Sequence, residues 1–311
     1  MDRSEFEELV APHRKELHAH CYRMLGSVHD ADDALQDALL GAWRGRDTFA
    51  GKSSLRAWLF RIATNACLHL IAQRPRRLLS ADYQRAASGT DIEAMVLEPI
   101  WLEPYPEDPE ARVEQREQIE LAFVAALQHL PGTQRAVLLV RDVLGFSAEE
   151  TAGLLEVTVA TVNSALQRAR ATLDASGVKT AGPPAKLDDA TRELLARYVD
   201  AFERYDLDSL TSLIHEDATQ SMPPFALWLR GRAEILRFWF GPGAACRGSR
   251  LIATAANGSP AFGQYKPSGP GGRHEPWSLQ VLEIENGRIV EMSFFLSTES
   301  LFPLFRLPHE P

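Results

Sequence analysis

The hydrophobic rhythm of this sequence stops between Ser80 and Arg112. On either side apolar residues recur at regular intervals; inside the stretch, acids and four prolines (Pro99, Pro104, Pro106, Pro109) interrupt every period. A segment of this kind cannot gather a core of its own. The stretch therefore reads as a long linker with a domain expected on either side of it. At 311 residues there is room for two or three domains.

Residues 1–78 read as helices. Phe6, Leu9, Val10, His13 and Leu17 recur at helical spacing, as do Ala31, Leu35, Ala38, Leu39, Ala42 and Trp43. After a Gly/Lys/Ser break the period continues through Trp58, Leu59, Ile62, Ala66 and Leu70. The linker, residues 79–112, carries one aromatic knot, WLEPYP at Trp101–Pro106. Helical spacing resumes over residues 113–177, and a short second linker, Gly177–Pro184, follows. Residues 187–311 mix elements: helices are predicted over Asp188–Arg204, Leu207–Ile214 and Arg232–Phe240. Alternation elsewhere predicts strands, the clearest being a hairpin over Leu279–Leu296 turning at Asn286-Gly287.

Charge limits what this chain can bind unaided. Its net charge is −9. Residues 1–78 hold 12 Lys/Arg against 10 Asp/Glu, and residues 79–112 hold 2 against 8. Duplex DNA is gripped mainly through its phosphates by a broad basic face, and no segment here supplies one. Any DNA contact must be local or assisted. No apolar run approaches the roughly 18 residues of a membrane span, and the N-terminus lacks the order of a signal peptide. Cys21, Cys67 and Cys246 form no metal-binding spacing and fit reduced thiols, so a cytoplasmic protein without metal or other cofactor is expected.

One stretch nevertheless has the form of a DNA reader. Ser147 to Glu150 is a capping box that opens a short helix through Leu155. Glu156-Val157 makes a turn, and Thr158 is placed to cap a second helix. There Val159, Val162, Leu166, Ala169 and Leu173 form an apolar stripe, while Thr161, Asn163, Ser164, Gln167, Arg168 and Arg170 occupy the other side. Two short helices in this order are how a recognition helix enters the major groove, where Arg pairs with guanine and Asn or Gln with adenine. An ordinary helical hairpin with a solvated polar face gives the same periodicity.

Taken with the N-terminal helices, residues 1–177 resemble an extracytoplasmic-function (ECF) sigma factor of the sigma-70 family. Gly26–Arg44 resembles the region-two helix that docks on the clamp helices of the polymerase β′ subunit. Phe49–Leu68 resembles the loop and helix that open and read the minus-ten element. Leu130–Leu173 resembles region four, which reads the minus-thirty-five element and meets the β flap. The resemblance implies bacterial core RNA polymerase and promoter DNA as partners. It places polymerase contacts on Asp33, Gln36 and Asp37, a polar strip suited to a basic helix. Minus-ten contacts fall on Lys52, Trp58, Phe60, Arg61 and Asn65, with Asn65 and Arg61 ahead of Trp58, which serves equally well as core. Region-four readers fall on Thr161, Asn163, Ser164, Gln167 and Arg168.

Residues 187–311 are similar to the SnoaL-like group of the nuclear transport factor 2-like fold, a cone-shaped α+β barrel. The expected fold class is thus multidomain, two all-α domains followed by an α+β domain. The resemblance implies that this extension regulates the sigma regions in cis, touching them or the linker, and WLEPYP resembles the Trp-Leu-Pro-rich linker motif of such proteins. The group also contains enzymes, which leaves a SnoaL-like enzyme tethered to a DNA-binding module as the alternative. His215, Asp217 and His274 are its candidate acids and bases, though none lies in a catalytic motif and no catalytic residue is assigned.

Overall fold

The computed structural model describes residues 2–49, 54–88, 95–96, 100–107, 120–176 and 188–311. The chain forms two compact units. The first comprises Met1–Arg77, Leu102–Tyr105 and Ile119–Gly182; the second comprises Leu78–Trp101, Pro106–Gln118 and Pro183–Pro311.

The first unit is all helical. Helices α1 (Arg3–Val10), α2 (Arg14–Leu25), α3 (Val28–Gly45) and α4 (Leu55–Gln73) precede the linker. Helices α6 (Leu121–Gln128), α7 (Gly132–Leu138), α8 (Ala148–Leu155) and α9 (Val159–Ser176) follow it, and α5 (Ser80–Tyr83) is the one linker helix among the described residues. Local chemistry sets the ends. Asp2 and Ser27 cap α1 and α3, and Gly26, at φ +70°, takes the left-handed position that closes α2. A side chain at Gly26 would also have its Cβ 2.7 Å from Leu102.

Helix α4 is buried more broadly than its single stripe predicts. Phe60, Ala63, Thr64 and Cys67 are buried beside Trp58, Leu59 and Leu70, while Ile62 and Ala66 are only half-buried. Both α2 and α3 pack on it, and so do α7 and α8. A helix covered on several sides has no purely polar face. Arg135 of α7 reaches into this region and donates to the carbonyl oxygens of Met24, Gln128 and Leu130 and to Gln128 Oε1. Burial lowers its pKa to about 10.

His20 of α2 lies in the same core. Thr64 Oγ1 donates to the Phe60 carbonyl at 2.7 Å and so accepts from His20 Nε2 at 2.9 Å. Nδ1 is then the unprotonated nitrogen, buried without a partner among the described residues. Burial, with Arg23 adding repulsion, lowers the pKa from 6.5 to about 3. Below pH 6.5 the unfolded chain takes up a proton that the folded chain refuses, so stability is intact above 6.5 and falls as the pH drops towards 3. Between about pH 7.5 and about pH 5 this group alone is expected to cost about 2 kcal/mol. Urea unfolding of wild type and His20→Gln at both pH values checks it: the two should lose stability by amounts differing by that figure, and parallel losses would refute the assignment.

The second unit is α+β. Helices α10 (Asp189–Arg204), α11 (Leu207–Leu213) and α12 (Arg232–Phe240) fall where the sequence predicts them, and α13 (Thr298–Leu304) was not foreseen. Six strands, β1 (Ile214–Ser221), β2 (Trp228–Arg230), β3 (Arg250–Ala256), β4 (Ser259–Lys266), β5 (Glu275–Glu285) and β6 (Arg288–Phe295), form one sheet in the order β2-β1-β6-β5-β4-β3. Only the β1–β6 pair is parallel. The β5–β6 hairpin turns at Asn286-Gly287, both at positive φ, and Asn257-Gly258 does the same between β3 and β4. One face of the sheet, with Ala218, Phe262, Leu282, Met292 and Phe294, packs against Leu194, Tyr198, Phe202 and Trp239 of the helices.

The linker is less open than its composition suggests. In the second unit Ile100 and Trp101 are buried with Ala226, and Trp228 Nε1 donates to the Gln84 carbonyl at 2.9 Å. In the first unit Leu102 is buried and the Tyr105 ring packs at a tilt on Tyr22, ring centroids 4.6 Å apart. Apolar residues too few for a core of their own are buried by the cores beside them.

Candidate nucleic-acid interface

The helix-turn-helix forms as its capping residues require. Ser147 Oγ accepts from the Glu150 amide at 3.1 Å, and Glu150 Oε2 accepts from the Ser147 amide at 2.7 Å. Helix α8 ends with Glu156 in the left-handed region, φ 56°, its amide donating to the Ala152 carbonyl. That position favours glycine; a non-glycine residue pays on the order of 1 kcal/mol there. Thr158 Oγ1 accepts from the Thr161 amide at 3.1 Å and opens α9.

Helix α9 buries Val162, Ala165, Leu166, Ala169 and Leu173. Val159, placed in the stripe by its spacing, is instead exposed at the first turn, and Ala165 takes its place in the core. The opposite side presents Thr161, Asn163, Gln167 and Arg168 to solvent, with Ser164 half-buried. Thr161 and Ser164 already bond locally, to Thr158 Oγ1 and to the Thr161 carbonyl. Asn163, Gln167 and Arg168 have no side-chain partner among the described residues and are free to meet a base edge. Arg170 is not free. Its fork grips Asp142 through bonds of 2.9 and 2.7 Å, which raise its pKa further.

On α3, Asp33, Gln36 and Asp37 are all exposed. Asp33 Oδ2 is 3.2 Å from Arg74 Nη2, which leaves Asp37 as the unpaired acid of the strip among the described residues. Just N-terminal, Glu103 covers the start of the helix. Its Oε2 accepts from Ser27 Oγ at 2.9 Å, from the Val28 amide at 2.9 Å and from the His29 ring at 2.9 Å. A carboxylate at a helix N-terminus satisfies orphan amides and the positive end of the dipole. Sequence reasoning singled out WLEPYP without finding this role, because 76 residues separate Glu103 from Ser27.

The minus-ten candidates on α4 do not share one fate. Lys52 lies outside the described residues. Asn65 is exposed. Arg61 is half-buried, its Nη1 3.7 Å from Glu156 Oε1. Trp58 is 6% and Phe60 0% exposed, with Trp58 against Phe49 and Phe60 against His20 and Phe146. The two rings belong to the core of this arrangement.

In the second unit the candidate acids and bases are scattered. His215 and Asp217 are exposed at the start of β1, and His274 Nε2 bonds to the Gly248 carbonyl. The core face holds an uncharged chain instead. Tyr198 donates to Gln280 at 2.8 Å, Gln280 and Ser278 both donate to Gln264 Oε1, and Gln264 donates to Ser249. Burial pushes the Tyr198 pKa well up, so the phenol stays neutral. Every member is spoken for, which suits a structural network. Among the described residues no cluster of His, Cys, Asp or Glu is arranged to hold a metal ion, and no helix is long and apolar enough to cross a membrane.

Comparison with known proteins gives a consistent result. The family profiles described as Sigma-70 region 2, Sigma-70, region 4, and SnoaL-like domain match residues 9–77, 120–173 and 195–292. The ECF RNA polymerase sigma factor SigG of Mycobacterium tuberculosis is 43% identical over 98% of this chain and 85% of its own length. The ECF RNA polymerase sigma factor SigW of Bacillus subtilis is 29% identical over 55% of this chain and 88% of its own. The crystal structure of the Mycobacterium tuberculosis ECF sigma factor SigJ has the same fold, with a TM-score of 0.63 at 22% identity, covering 99% of this chain and all of the other.

Proposed function

Starting from the fact that this chain belongs to the ECF RNA polymerase sigma factors, with a SnoaL-like domain fused at its C-terminus, we propose how its parts divide the work. The protein binds core RNA polymerase and directs initiation at its promoters. Helix α9 reads the minus-thirty-five element through Asn163, Gln167 and Arg168, and α3 docks on the β′ clamp helices through Asp37 with Gln36 and Asp33. Arg61 and Asn65 of α4 meet the opened minus-ten strand. The observation that carries this reading is α9 itself, a capped second helix whose exposed side holds Asn163, Gln167 and Arg168, side chains without a partner among the described residues.

An acidic chain suits this role, since sigma supplies base readers while polymerase supplies the positive surface. The work is therefore done wherever polymerase is, in the cytoplasm. The SnoaL-like domain acts in cis, through the linker. Two features support that. Consecutive linker residues are shared between the units, Trp101 with the second and Leu102–Tyr105 with the first. Of the latter, Glu103 caps the docking helix α3. The enzyme alternative gains no support, because His215, Asp217 and His274 do not converge on the interior of the fold.

The test is transcription by bacterial core polymerase on a genomic promoter library. Transcripts are expected only when the protein is added, and removing residues 188–311 should change their yield at least about threefold, an effect of roughly 0.65 kcal/mol. Absence of any dependent transcript would overturn the division of labour. An unchanged yield would remove the regulatory role from the C-terminal domain.

A further inference from the structure

Three contacts in a row fix how α2 lies on α4. Glu16 accepts from the Arg56 guanidinium with both carboxylate oxygens, from Nε at 3.1 Å and from Nη2. One turn on, the His20 ring stands edge-on to Phe60, centroids 5.3 Å apart, and bonds to Thr64. The two helices therefore run alongside in the same sense, and Phe60, Thr64 and Cys67 step by four and three along one stripe of α4. The next step along that stripe brings Cys67 to Cys21 of α2. Their thiols share a hydrogen bond, and neither residue has any exposed surface. Arg135 of α7 closes the far side, donating to the Met24 carbonyl while its charge acts on Cys67. Cys246, the remaining cysteine, lies in the second unit and shares hydrogen bonds with Gln264 and Trp277.

A buried cysteine on its own is packing. Two sulfurs in contact on separate helices are different, because only a shift from hydrogen-bond contact to the roughly 2.05 Å of an S–S bond separates them from a bridge. We propose that Cys21 and Cys67 form a redox-active dithiol that a peroxide closes into a disulfide, stapling α2 to α4. The order of events follows from the surroundings. Burial and the Cys21 thiol push the Cys67 thiol up, while the Arg135 guanidinium pulls it down. A Cys67 thiolate formed in a brief opening of the packing therefore has a counter-charge beside it and reacts first. It attacks one oxygen of hydrogen peroxide. The O–O bond breaks, the sulfur becomes a sulfenic acid, and the departing hydroxide takes the Cys67 proton as water. The Cys21 sulfur then attacks the sulfenic sulfur; the S–S bond forms, the S–O bond breaks, and hydroxide leaves with the Cys21 proton as a second water. The two sulfurs lose two electrons and the peroxide gains them. A bridge closing a loop of about 46 residues restricts the unfolded chain more than the folded one, so the oxidised unit resists unfolding. This inference does not depend on the sigma reading.

The experiment uses the full chain, folded by circular dichroism before and after treatment. Wild type, Cys67→Ala and Cys246→Ala are exposed to hydrogen peroxide, alkylated, digested without reductant and mapped by mass spectrometry. Expected is a linked Cys21–Cys67 peptide in wild type and Cys246→Ala, absent from Cys67→Ala and lost on treatment with dithiothreitol. The urea concentration at which α2 and α4 lose protection from hydrogen exchange should be at least about 0.5 M higher for oxidised wild type than for the same sample after reduction. Peroxide should leave that midpoint unchanged in Cys67→Ala. If Cys67→Ala does not fold, wild type and Cys246→Ala carry the test, because the linked peptide reports the bridge directly. The proposal fails if both thiols stay free while Cys246 is oxidised, if they go separately to sulfinic acids, or if they join only in urea. A bridged protein that unfolds no later than the reduced one overturns the staple as well.

Discussion

Replacing Arg168 by Ala is expected to lower discrimination at one base pair of the minus-thirty-five element by about 1–3 kcal/mol, roughly 5- to 150-fold. The reasoning is geometric. Arg168 projects from the exposed side of α9 in line with Gln167 and Asn163, and its guanidinium has no partner among the described residues. It reaches DNA without first breaking an internal bond. Its neighbour Arg170 offers the contrast, since its fork is spent on Asp142. Arg170→Ala should therefore leave promoter choice unchanged while loosening α9 from the turn that carries Asp142. The measurement is single-round transcription on a set of promoters varied one base at a time. Convergence of the matched and mismatched promoters in the Arg168 variant supports direct reading. A uniform loss on every promoter, with a salt slope shallower by about one, would reassign Arg168 to a phosphate.

The second large effect is on stability. Asp30→Ala should cost the first unit about 3 kcal/mol. Asp30 and Arg77 are nearly fully buried, their side chains 8% and 7% exposed, and their atoms approach to 2.5 Å. Arg74 pairs with the other oxygen of Asp30. Arg77 cannot relax into water when Asp30 is removed, and burial already lowers its pKa, against a raising influence from Glu103. A second acid, Glu103, stands 3.9 Å away and holds the cost to the lower end of the range for a broken buried pair. Urea unfolding measures the loss. The double variant Asp30→Leu with Arg77→Met should recover much of it, because two apolar groups need no pairing. A loss below about 1 kcal/mol in the single variant would mean that water reaches Arg77 after all.

Much of the fold was legible because short-range chemistry wrote it. The Ser147 capping box, the Thr158 cap and the Asn286-Gly287 turn each involve residues no more than three apart. The same signal at Asn257-Gly258 would have located β3 and β4, and it went unused in reading the alternation. Exposure on α9 followed from the period, apart from Val159 at the first turn. The candidate site was less legible. Trp58, Phe60, Arg61 and Asn65 all lie on one helix, yet two are buried, one is paired and one is exposed.

Sequence alone determined which segments become most of the helices, where the capped ones start, and which residues are chemically able to read a base or meet a basic helix. These properties are settled within a turn of helix or a two-residue loop, where hydrogen-bond satisfaction and φ preference act locally. Tertiary structure alone decided which of those residues are available. Arg170 is captured by Asp142, 28 positions away; Arg56 by Glu16, 40 away; and the start of α3 by Glu103, 75 away from Val28. Burial and charge pairing depend on which faces meet once the chain has closed on itself, and no local period records that meeting.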